Sequence, residues 1–480
     1  MILPLHKKNE KIFVKNYRPV SNLVEVGKLV EYIVGEQILQ HFLNNRLFHP
    51  NHHGSLPNHS TATALIQLTD MWIQAAEKRE LSGVCMIDQS AAYDLLDHDI
   101  FLKKLLLYKF DRSAINWVDS YLSNRIQCVK VESKTSSFIG CDTSGVPQGS
   151  VLGGIFHVIN SNDLPACHED AESVVYVDDD TDSVHGKSCE MVLFKLQKEV
   201  DNTVDWLKDN NMCVAGGKSK FMVVGTQRFR LVNQAENLSI NVDGAQIEES
   251  MSEKLLGLVV NNRLTWKEYL YGDNENNGLI SQLKQRVGVL RKLSIFMPKQ
   301  SLRMVTNGIF YSKLLYCIIV FGNVVGIDEY KDSNRIAGMT VQDCNKLQVL
   351  QNSVMRLLLR NSDRMSTSEL LRQTNSLSIH QMIAYYTLVA VHKILTSGQP
   401  AYLAERLRLG YNERNLRGNE GPMISVAKYK LDVGRAGFVY RGGKLFNSLP
   451  MSLRAERSLT SFKSQARSWV VSNITIRPGR

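Results

Sequence analysis

Three consecutive aspartates follow an apolar run in the segment SVVYVDDDTDSV, residues 173–184. Residues 174–177 are β-branched or aromatic, as in a buried strand, whereas Asp178, Asp179 and Asp180 would repel one another at its end. A second short apolar run, residues 82–88, ends on Asp88. If the two strands are neighbours, three carboxylates converge, and their charge must be neutralised by cations or by raised pKa values. Two Mg²⁺ ions roughly 4 Å apart would neutralise it and would also clamp the oxygens of a phosphoryl transfer.

Each of these signals, taken singly, also has a structural explanation. An aspartate at a strand end, such as Asp88, is more often a solvated turn residue or a helix cap. The triplet 178–180 is equally consistent with an acidic β-turn, and VPQGS at 146–150 with an ordinary turn. The joint order of the segments favours the metal site.

The elements that would carry these acids form a mixed order of strands and helices. Periodicity predicts helices over 20–47, with Ser21 as a cap, and over 61–78, 98–110, 113–124 and 190–210. Strands are predicted at 82–88, 126–133 and 219–226, and a hairpin with an Asp-Gly turn at 238–248. From about 280 onward the pattern is mostly helical, with loops near 327–340 and 410–425. We therefore expect an α+β fold on a mostly antiparallel sheet.

Composition indicates a globular chain of two or three domains. The 480 residues are 44% hydrophobic and 22% charged. The longest apolar stretch, 316–327, is too short to span a bilayer, and the amino terminus lacks the layout of a signal peptide. We therefore expect an intracellular protein without a membrane partner. The eight cysteines lack a C-x-x-C pair and are interpreted as reduced structural thiols.

The charge is divided unevenly along the chain. Residues 281–480 carry 30 Lys and Arg against 11 Asp and Glu, whereas residues 1–280 carry 27 and 36. A basic excess of this size favours a polyanionic partner, because each neutralised phosphate releases condensed counterions. A solvated basic surface explains the charge equally well.

The joint pattern resembles the reverse transcriptases of non-long-terminal-repeat (LINE-type) retrotransposons, of the jockey and chicken-repeat kind. The three core motifs are similar to DQSAAYDLLDH at 88–98, SGVPQGSVLG at 144–153 and YVDD at 176–179. Further likenesses are NYRPVSNL at 16–23, GGKSKFMVVG at 216–225, EKLLGLVVNNRLTWKEYL at 253–270, LQVLQNSVMRLLLR at 347–360 and YRGGKLFNSLP at 440–450. Nearly the whole chain is covered.

The resemblance implies a right-hand polymerase with fingers, palm and thumb that copies RNA into DNA. Residues 1–264 would form fingers and palm, 265–410 a helical thumb and connection, and 411–480 a basic carboxyl-terminal region. Its partners would be an RNA template, a DNA primer and dNTPs, and its cofactor two Mg²⁺ ions, with Mn²⁺ as an alternative. Family habit alone implies nuclear action.

The resemblance also implies roles for single residues. Asp88, Asp178 and Asp179 would be the metal ligands, with Asp180 left as a simple turn residue, and the Val177 carbonyl would at most lie near one metal. Tyr93 would lie beneath the incoming sugar, where a ring excludes a 2′-hydroxyl.

The remaining implied contacts are to the nucleotide. Gln148 would contact nucleotide and template on a loop fixed by Gly149, Lys218 would assist the leaving pyrophosphate, and Arg18 would meet the triphosphate. Core packing for Tyr93, a surface role for Lys218 and a structural role for Arg18 remain the alternatives.

Several departures from the family pattern weaken the expectation of full activity. Ser55 and Leu56 stand where the family commonly has an aromatic residue and an arginine, whose loss would remove a charge-assisted contact. Ala215 stands where an asparagine is frequent. The chain begins almost at the first polymerase motif, so the upstream endonuclease of such elements would be missing, as in a truncated copy or partial gene model.

Three functions therefore remain open. The first is an active RNA-directed DNA polymerase, favoured by the intact acids, Tyr93 and Gln148. The second is a decayed or co-opted nucleic-acid-binding protein that retains the fold without efficient catalysis. The third is an RNA-dependent RNA polymerase with the same palm, which Tyr93 argues against.

Overall fold

The computed structural model describes residues 1–7, 10–90, 93–141, 143–233, 237–273, 277–322, 339–360, 365–410 and 422–474. The greater parts of the loops predicted near 327–340 and 410–425 lie outside the described residues. Helices dominate after residue 265, as the periodicity predicts.

The strands are short except for two in the middle of the amino-terminal half. In chain order they are β1 (Ile2–His6), β2 (Tyr17–Ser21), β3 (Leu81–Ser90), β4 (Arg125–Gln127), β5 (Lys130–Val131), β6 (Lys134–Thr135), β7 (Ile139–Cys141), β8 (Glu172–Tyr176), β9 (Asp179–Gly186), β10 (Cys213–Val214), β11 (Lys220–Val224), β12 (Ser239–Val242), β13 (Ala245–Glu248), β14 (Ser252–Leu255), β15 (Leu258–Asn261), β16 (Leu409–Gly410) and β17 (Met423–Ile424).

The α-helices alternate with these strands in the first part of the chain and dominate the described residues after 265. They are α1 (Glu25–Asn44), α2 (Thr61–Glu77), α3 (His98–Leu107), α4 (Arg112–Leu122), α5 (Val151–Asn160), α6 (Cys189–Asp209), α7 (Gln227–Val232), α8 (Lys267–Tyr271), α9 (Leu279–Phe296), α10 (Lys299–Thr306), α11 (Ser312–Leu315), α12 (Ile318–Phe321), α13 (Val341–Leu359), α14 (Thr367–Thr374), α15 (Ile379–Ser397), α16 (Ala401–Arg406), α17 (Asp432–Ala436), α18 (Phe438–Asn447), α19 (Met451–Arg454) and α20 (Leu459–Asn473).

A five-stranded antiparallel sheet holds the acid-bearing segments. Its order is β10-β3-β9-β8, and β11 pairs with β3 alongside β10. The β3–β9 register places Asp88 opposite Asp179, and the β8–β9 register places Tyr176 opposite the same residue. This arrangement confirms the antiparallel sheet and makes the two acid-bearing strands direct neighbours.

The two faces of the sheet are covered by different helices. On one face α2 packs against β3 and β8, and Trp72 Nε1 donates a hydrogen bond of 3.0 Å to Ser183 Oγ of β9. On the other face α6 contributes Val192 and Leu196 to a core that includes Cys85 and Val184. Because side chains alternate along a strand, neighbouring residues of β9 face different surroundings.

Both covering helices begin at residues that can cap them. Ser60 caps α2 in a reciprocal capping box with Thr63, and Ser188 Oγ accepts a hydrogen bond from the backbone of Met191 at the start of α6. These caps satisfy backbone N–H groups that lack partners within the helix.

Two predicted elements differ from the structure. The helix predicted over 20–47 begins only at Glu25, and Ser21 is the last residue of β2 rather than a cap. The backbone of Ser21 is used in pairing, because it lies opposite Ile2 and its N–H donates to Gln148 O at 2.8 Å. The strand predicted over 126–133 is split into β4 and β5, which pair with different strands.

One hydrophobic core runs from the sheet into the carboxyl-terminal helices. Trp72, Leu258, Phe321, Phe446 and Phe462 are all buried within it. The eight cysteines are free thiols, as the sequence predicts. Among the described residues, every helix is too short or too polar to cross a bilayer.

Candidate active site

A two-residue turn joins β8 to β9 and carries the first acid. Val177 and Asp178 form this turn, and Val177 has φ = 61°, in the left-handed region that β-branched residues rarely adopt. The Val177 carbonyl accepts a hydrogen bond from His157 Nε2 at 3.1 Å, which holds the turn from the α5 side. A strained backbone kept in place by a buried contact is typical of a functional site.

The register of β3 brings the third acid to this turn. Asp88 pairs with Asp179 across the two strands, and directly opposed side chains of an antiparallel pair lie on the same face. The backbone of Asp88 is also held from β3's other side, because its N–H donates to Ser219 Oγ at 3.3 Å and its carbonyl accepts from Ala215 N–H at 2.9 Å. The structure therefore places Asp88, Asp178 and Asp179 together.

Electrostatics confirm that these acids are neighbours. Burial, followed by the charges of Asp178 and Asp88, raises the pKa of Asp179 to about 6. Lys218 Nζ lies 3.6 Å from Asp88 Oδ2, but this pair is solvated, since the two side chains are 73% and 45% exposed. A solvated ion pair compensates little of the repulsion. Three carboxylates facing one lysine are a donor set that fits hard divalent cations.

Tyr93 lies beside the acids, stacked on a histidine. Its ring packs against that of His157 with centroids 5.2 Å apart, and its carbonyl accepts a hydrogen bond from Val146 N–H at 2.7 Å. Burial, followed by the charge of Asp178, raises the pKa of Tyr93. The ring is therefore close enough to Asp178 to border the same space.

His157 is a site residue that the sequence analysis missed. It is fully buried in α5, and burial lowers the pKa of its imidazole. The face of the His157 ring stacks on Tyr93, and its Nε2 atom holds the Val177 carbonyl. The available signal was a lone histidine within the apolar run GGIFHVI, residues 153–159.

The predicted nucleotide loop borders a separate cleft. Gly149 has φ = 109°, and a Cβ there would lie 3.1 Å from Ser21 O, so glycine is required by both conformation and space. Gln148 Nε2 donates to Asp94 Oδ2 at 3.4 Å. Gln148, Asp94 and Arg125 line a cleft of about 500 Å³. The three acids are not among its lining residues.

Arg18 is placed near this loop rather than at the acids. It lies exposed on β2, opposite Leu5. Its strand reaches the loop because Ser21 N–H bonds Gln148 O. Among the described contacts, none joins the Arg18 side chain to the three acids.

The segment with the unusual residues Ser55 and Leu56 is attached to the five-stranded sheet. Just before it, His53 N–H donates to Val175 O at 2.8 Å, and Val175 N–H donates to Asn51 O at 3.1 Å. Leu56 is buried and Ser55 is exposed. The loop therefore keeps its backbone attachment to β8 despite the departures at these two positions.

Asp180 requires a correction. The sequence predicts it to be a simple turn residue, but it lies within β9 and is 1% exposed. Ser173 Oγ donates to Asp180 Oδ1 at 2.7 Å. The prediction was wrong because the turn has only two residues, so Asp180 follows Asp179 on the opposite face of the strand.

Comparison with known proteins places this arrangement in a family. The profile of the family "Reverse transcriptase (RNA-dependent DNA polymerase)" matches residues 5–260. The chain is 25% identical over 395 residues to the probable RNA-directed DNA polymerase from transposon BS of Drosophila melanogaster, covering 80% of this chain and 41% of that protein. It is 26% identical over 365 residues to the RNA-directed DNA polymerase from mobile element jockey of Drosophila funebris, covering 74% and 37%.

The chain thus spans about two fifths of the length of these curated relatives. Among solved structures, a telomerase from Candida tropicalis in complex with a fragment of telomeric RNA is 14% identical, with a TM-score of 0.38 and coverage of 79% of this chain and 60% of that one. The family match covers more than half of the chain and includes all three acids. The resemblance to enzymes of non-long-terminal-repeat elements is confirmed, and the chain belongs to the reverse transcriptase (RNA-dependent DNA polymerase) family.

Proposed function

We propose that this chain is the polymerase part of a retrotransposon and extends a primer 3′ end with dNTPs on an RNA template. The observation that carries the proposal is the convergence of Asp88, Asp178 and Asp179 at one end of the β3–β9 pair. Three clustered carboxylates, of which Asp178 and Asp179 are exposed, repel one another beside a single solvated lysine, and divalent cations would offset that repulsion.

In this proposal the three acids hold two Mg²⁺ ions, with Mn²⁺ as a substitute. Bound there, the ions would lower the pKa of the primer hydroxyl and stabilise the charge on the leaving pyrophosphate. The chain positions the ligands through the Asp88 register and through the turn that His157 holds at Val177.

The neighbouring side chains then select and orient the nucleotide. Tyr93, supported from behind by His157, occupies the place where a 2′-hydroxyl would otherwise fit. Gln148 and Gly149 present a close backbone and an amide to nucleotide and template, and Arg18 meets the triphosphate from β2. Lys218, next to Asp88, offsets charge on the leaving group.

The template and primer are held by the basic part of the chain. Helix α9 exposes Lys284, Arg291 and Lys292 along one surface, and phosphate contacts of this kind position a duplex without reading its sequence. We assign residues 1–264 to fingers and palm, 265–410 to thumb and connection, and 411–480 to a basic carboxyl-terminal region. As in the family, the proposed place of action is the nucleus.

A primer-extension assay tests the function. The purified chain is given a DNA primer annealed to RNA, with Mg²⁺ and either dNTPs or NTPs, and template binding is measured in parallel. Extension with dNTPs supports the proposal. Extension with NTPs would indicate an RNA polymerase, and binding without extension would indicate a decayed binding protein.

A single isosteric variant serves as the negative control, because it shows whether the extension comes from this chain or from a contaminating polymerase. Asp178→Asn is expected to abolish extension and to leave template affinity nearly unchanged, because the carboxylate lies in the turn and outside the basic surface. Equal extension by this variant would refute the assignment of Asp178 as a metal ligand.

A further inference from the structure

A second group of ionisable side chains lies on the α6 face of β9. It comprises His168, which follows α5 and a short 3-10 turn, Asp180 and Asp182 of β9, and Glu199 of α6. The side chains of His168, Asp182 and Glu199 are at most 1% exposed, and Asp180 as a whole residue is equally buried. No residue of this group belongs to the proposed polymerase site.

The outward-facing atoms of the group are all fixed by hydrogen bonds. Ser173 Oγ donates to Asp180 Oδ1 at 2.7 Å, and Thr203 Oγ1 donates to Asp182 Oδ2 at 3.0 Å. His168 Nδ1 donates to Glu199 Oε2 at 3.0 Å. Each of the three inner side chains is therefore oriented by a neighbour that holds its far side.

The inward-facing atoms converge on one another. His168, Asp180 and Asp182 each offer one ligand atom, and these three atoms lie within 4.8 Å of one another. His168 Nε2 is 3.0 Å from Asp182 Oδ1, an ion-pair distance. His168 Nε2 and Asp182 Oδ1 are therefore each other's partners, and among the described residues no hydrogen bond reaches Asp180 Oδ2. Buried polar atoms of native proteins rarely stay unsatisfied, so such a convergence points to a ligand.

The charges lead to the same conclusion. Three carboxylates surround one imidazole, so even a protonated His168 leaves the buried group with an excess of negative charge. Uncompensated charge is costly in the interior of a protein. A divalent cation between the three inner atoms would replace the proton on His168 Nε2, which would leave to solvent, and would reduce the excess.

We propose that His168, Asp180 and Asp182 form a binding site for a divalent transition-metal ion, with Zn²⁺ the best match. One imidazole nitrogen with two carboxylate oxygens suits Zn²⁺, whereas Mg²⁺ prefers oxygen ligands and water. Glu199 is the orienting partner, since histidine ligands of metals commonly donate their other ring N–H to a carboxylate. This site ties β9 to α6 and does not depend on the proposed polymerase activity.

Metal analysis of the purified chain tests the site. The protein is produced in zinc-supplemented medium, dialysed against metal-free buffer to remove weakly held ions, and measured by mass spectrometry. We expect about one zinc ion per chain in the wild type and a loss of most of it in His168→Gln and Asp182→Asn. His185→Gln is the matched control, because His185 is a histidine of β9 that bonds Ser82 and lies outside the group. This variant should retain the zinc.

A strong zinc chelator should in addition lower the thermal midpoint of the wild type by several degrees, and added Zn²⁺ should restore it. If His168→Gln fails to fold, the wild-type zinc content and this chelator response decide the question. Wild-type protein with less than about a tenth of a zinc ion per chain and no chelator response would overturn the proposal. Equal zinc in wild type and a folded His168→Gln variant would also overturn it.

Discussion

The two faces of β9 carry acids in opposite circumstances. On one face Asp179 meets Asp88 and Asp178 next to solvent, with Lys218 nearby. On the other face Asp180 and Asp182 are sealed under α6 and held by Ser173, Thr203 and His168. The first group lacks internal compensation and is suited to bind substrate-linked cations, whereas the second is built into the core. Adjacent residues of one type thus have different surroundings because a strand alternates its faces.

The largest stability effect is expected on the sealed face. Asp182→Asn would leave His168 Nε2 without the carboxylate that lies 3.0 Å from it, and breaking a buried pair in this way costs about 3–5 kcal/mol. Urea denaturation measures the loss. Asp243→Asn is the control, because its pair with Lys208 is solvated, and it should cost less than about 1 kcal/mol. Similar losses for the two variants would contradict the contrast between buried and exposed acids.

A pH dependence is expected from the histidines behind β8. Burial, followed by neighbouring histidines, lowers the pKa of His52 to about 3, and burial lowers that of His53 to about 4 despite a bond to Gln67. Between these values and 6.5 the unfolded chain binds more protons than the folded one. These two histidines therefore reduce the free energy of unfolding only below pH 6.5. The reduction grows as the pH decreases, by up to about 1.4 kcal/mol per pH unit for each histidine.

Urea denaturation between pH 7.5 and 4.5 measures this slope. His52→Gln should make it shallower, since the variant no longer has the proton uptake of that residue on unfolding. Identical slopes for the variant and the wild type would show that His52 does not titrate as its burial requires.

A smaller effect, on the extension rate, is expected at His157, which holds the turn that carries Asp178. His157→Phe removes the donor to the Val177 carbonyl but keeps a ring against Tyr93. Loss of one such hydrogen bond, about 1–2 kcal/mol, should lower the extension rate on the order of tenfold at unchanged template affinity. His157→Gln, which can still donate, should recover part of the rate. If His157→Phe and the wild type extend equally fast, the turn does not need this support.

The smallest effect is expected at the solvated lysine. Lys218→Gln should slow extension only a few-fold, because the pair with Asp88 is exposed. Lys220→Gln is the matched control, since Lys220 pairs with Glu253 on β14 away from the acids. The two variants are compared in the same extension assay, and equal rates would remove Lys218 from the site.

The sequence was sufficient for features with a local signal. The apolar run ending at Asp88, the helices that begin near residues 61 and 190, and the Asp-Gly hairpin are all present. The proximity of Asp88 and Asp179 was predictable only on the assumption that their two strands are neighbours in one sheet. These predictions rest on periodicity and turn chemistry, which act within a few residues.

Features that depend on distant partners were not predictable in the same way. Residues 178–182, DDDTD, are polar on both faces, so their alternation contains no hydrophobic signal for the buried side. The partners that make burial of Asp180 tolerable, His168 and Ser173, come from other elements. Ser21 was misassigned because a serine before an apolar periodic run is a valid cap signal, and only its pairing with β1 overrides it.

The most direct test of the proposed role of Asp88, Asp178 and Asp179 is the variant Asp179→Asn, whose primer-extension rate and thermal midpoint are both measured. Burial and the charges of Asp178 and Asp88 raise the pKa of Asp179 from 3.8 to about 6, so its ionisation lowers stability progressively between these pH values and fully above about pH 6. The variant is expected to lose extension on the order of a thousandfold or more, with a thermal midpoint equal to or above that of the wild type. Retained extension, or a stability loss like that of Asp182→Asn, would contradict the assignment of this acid to catalysis.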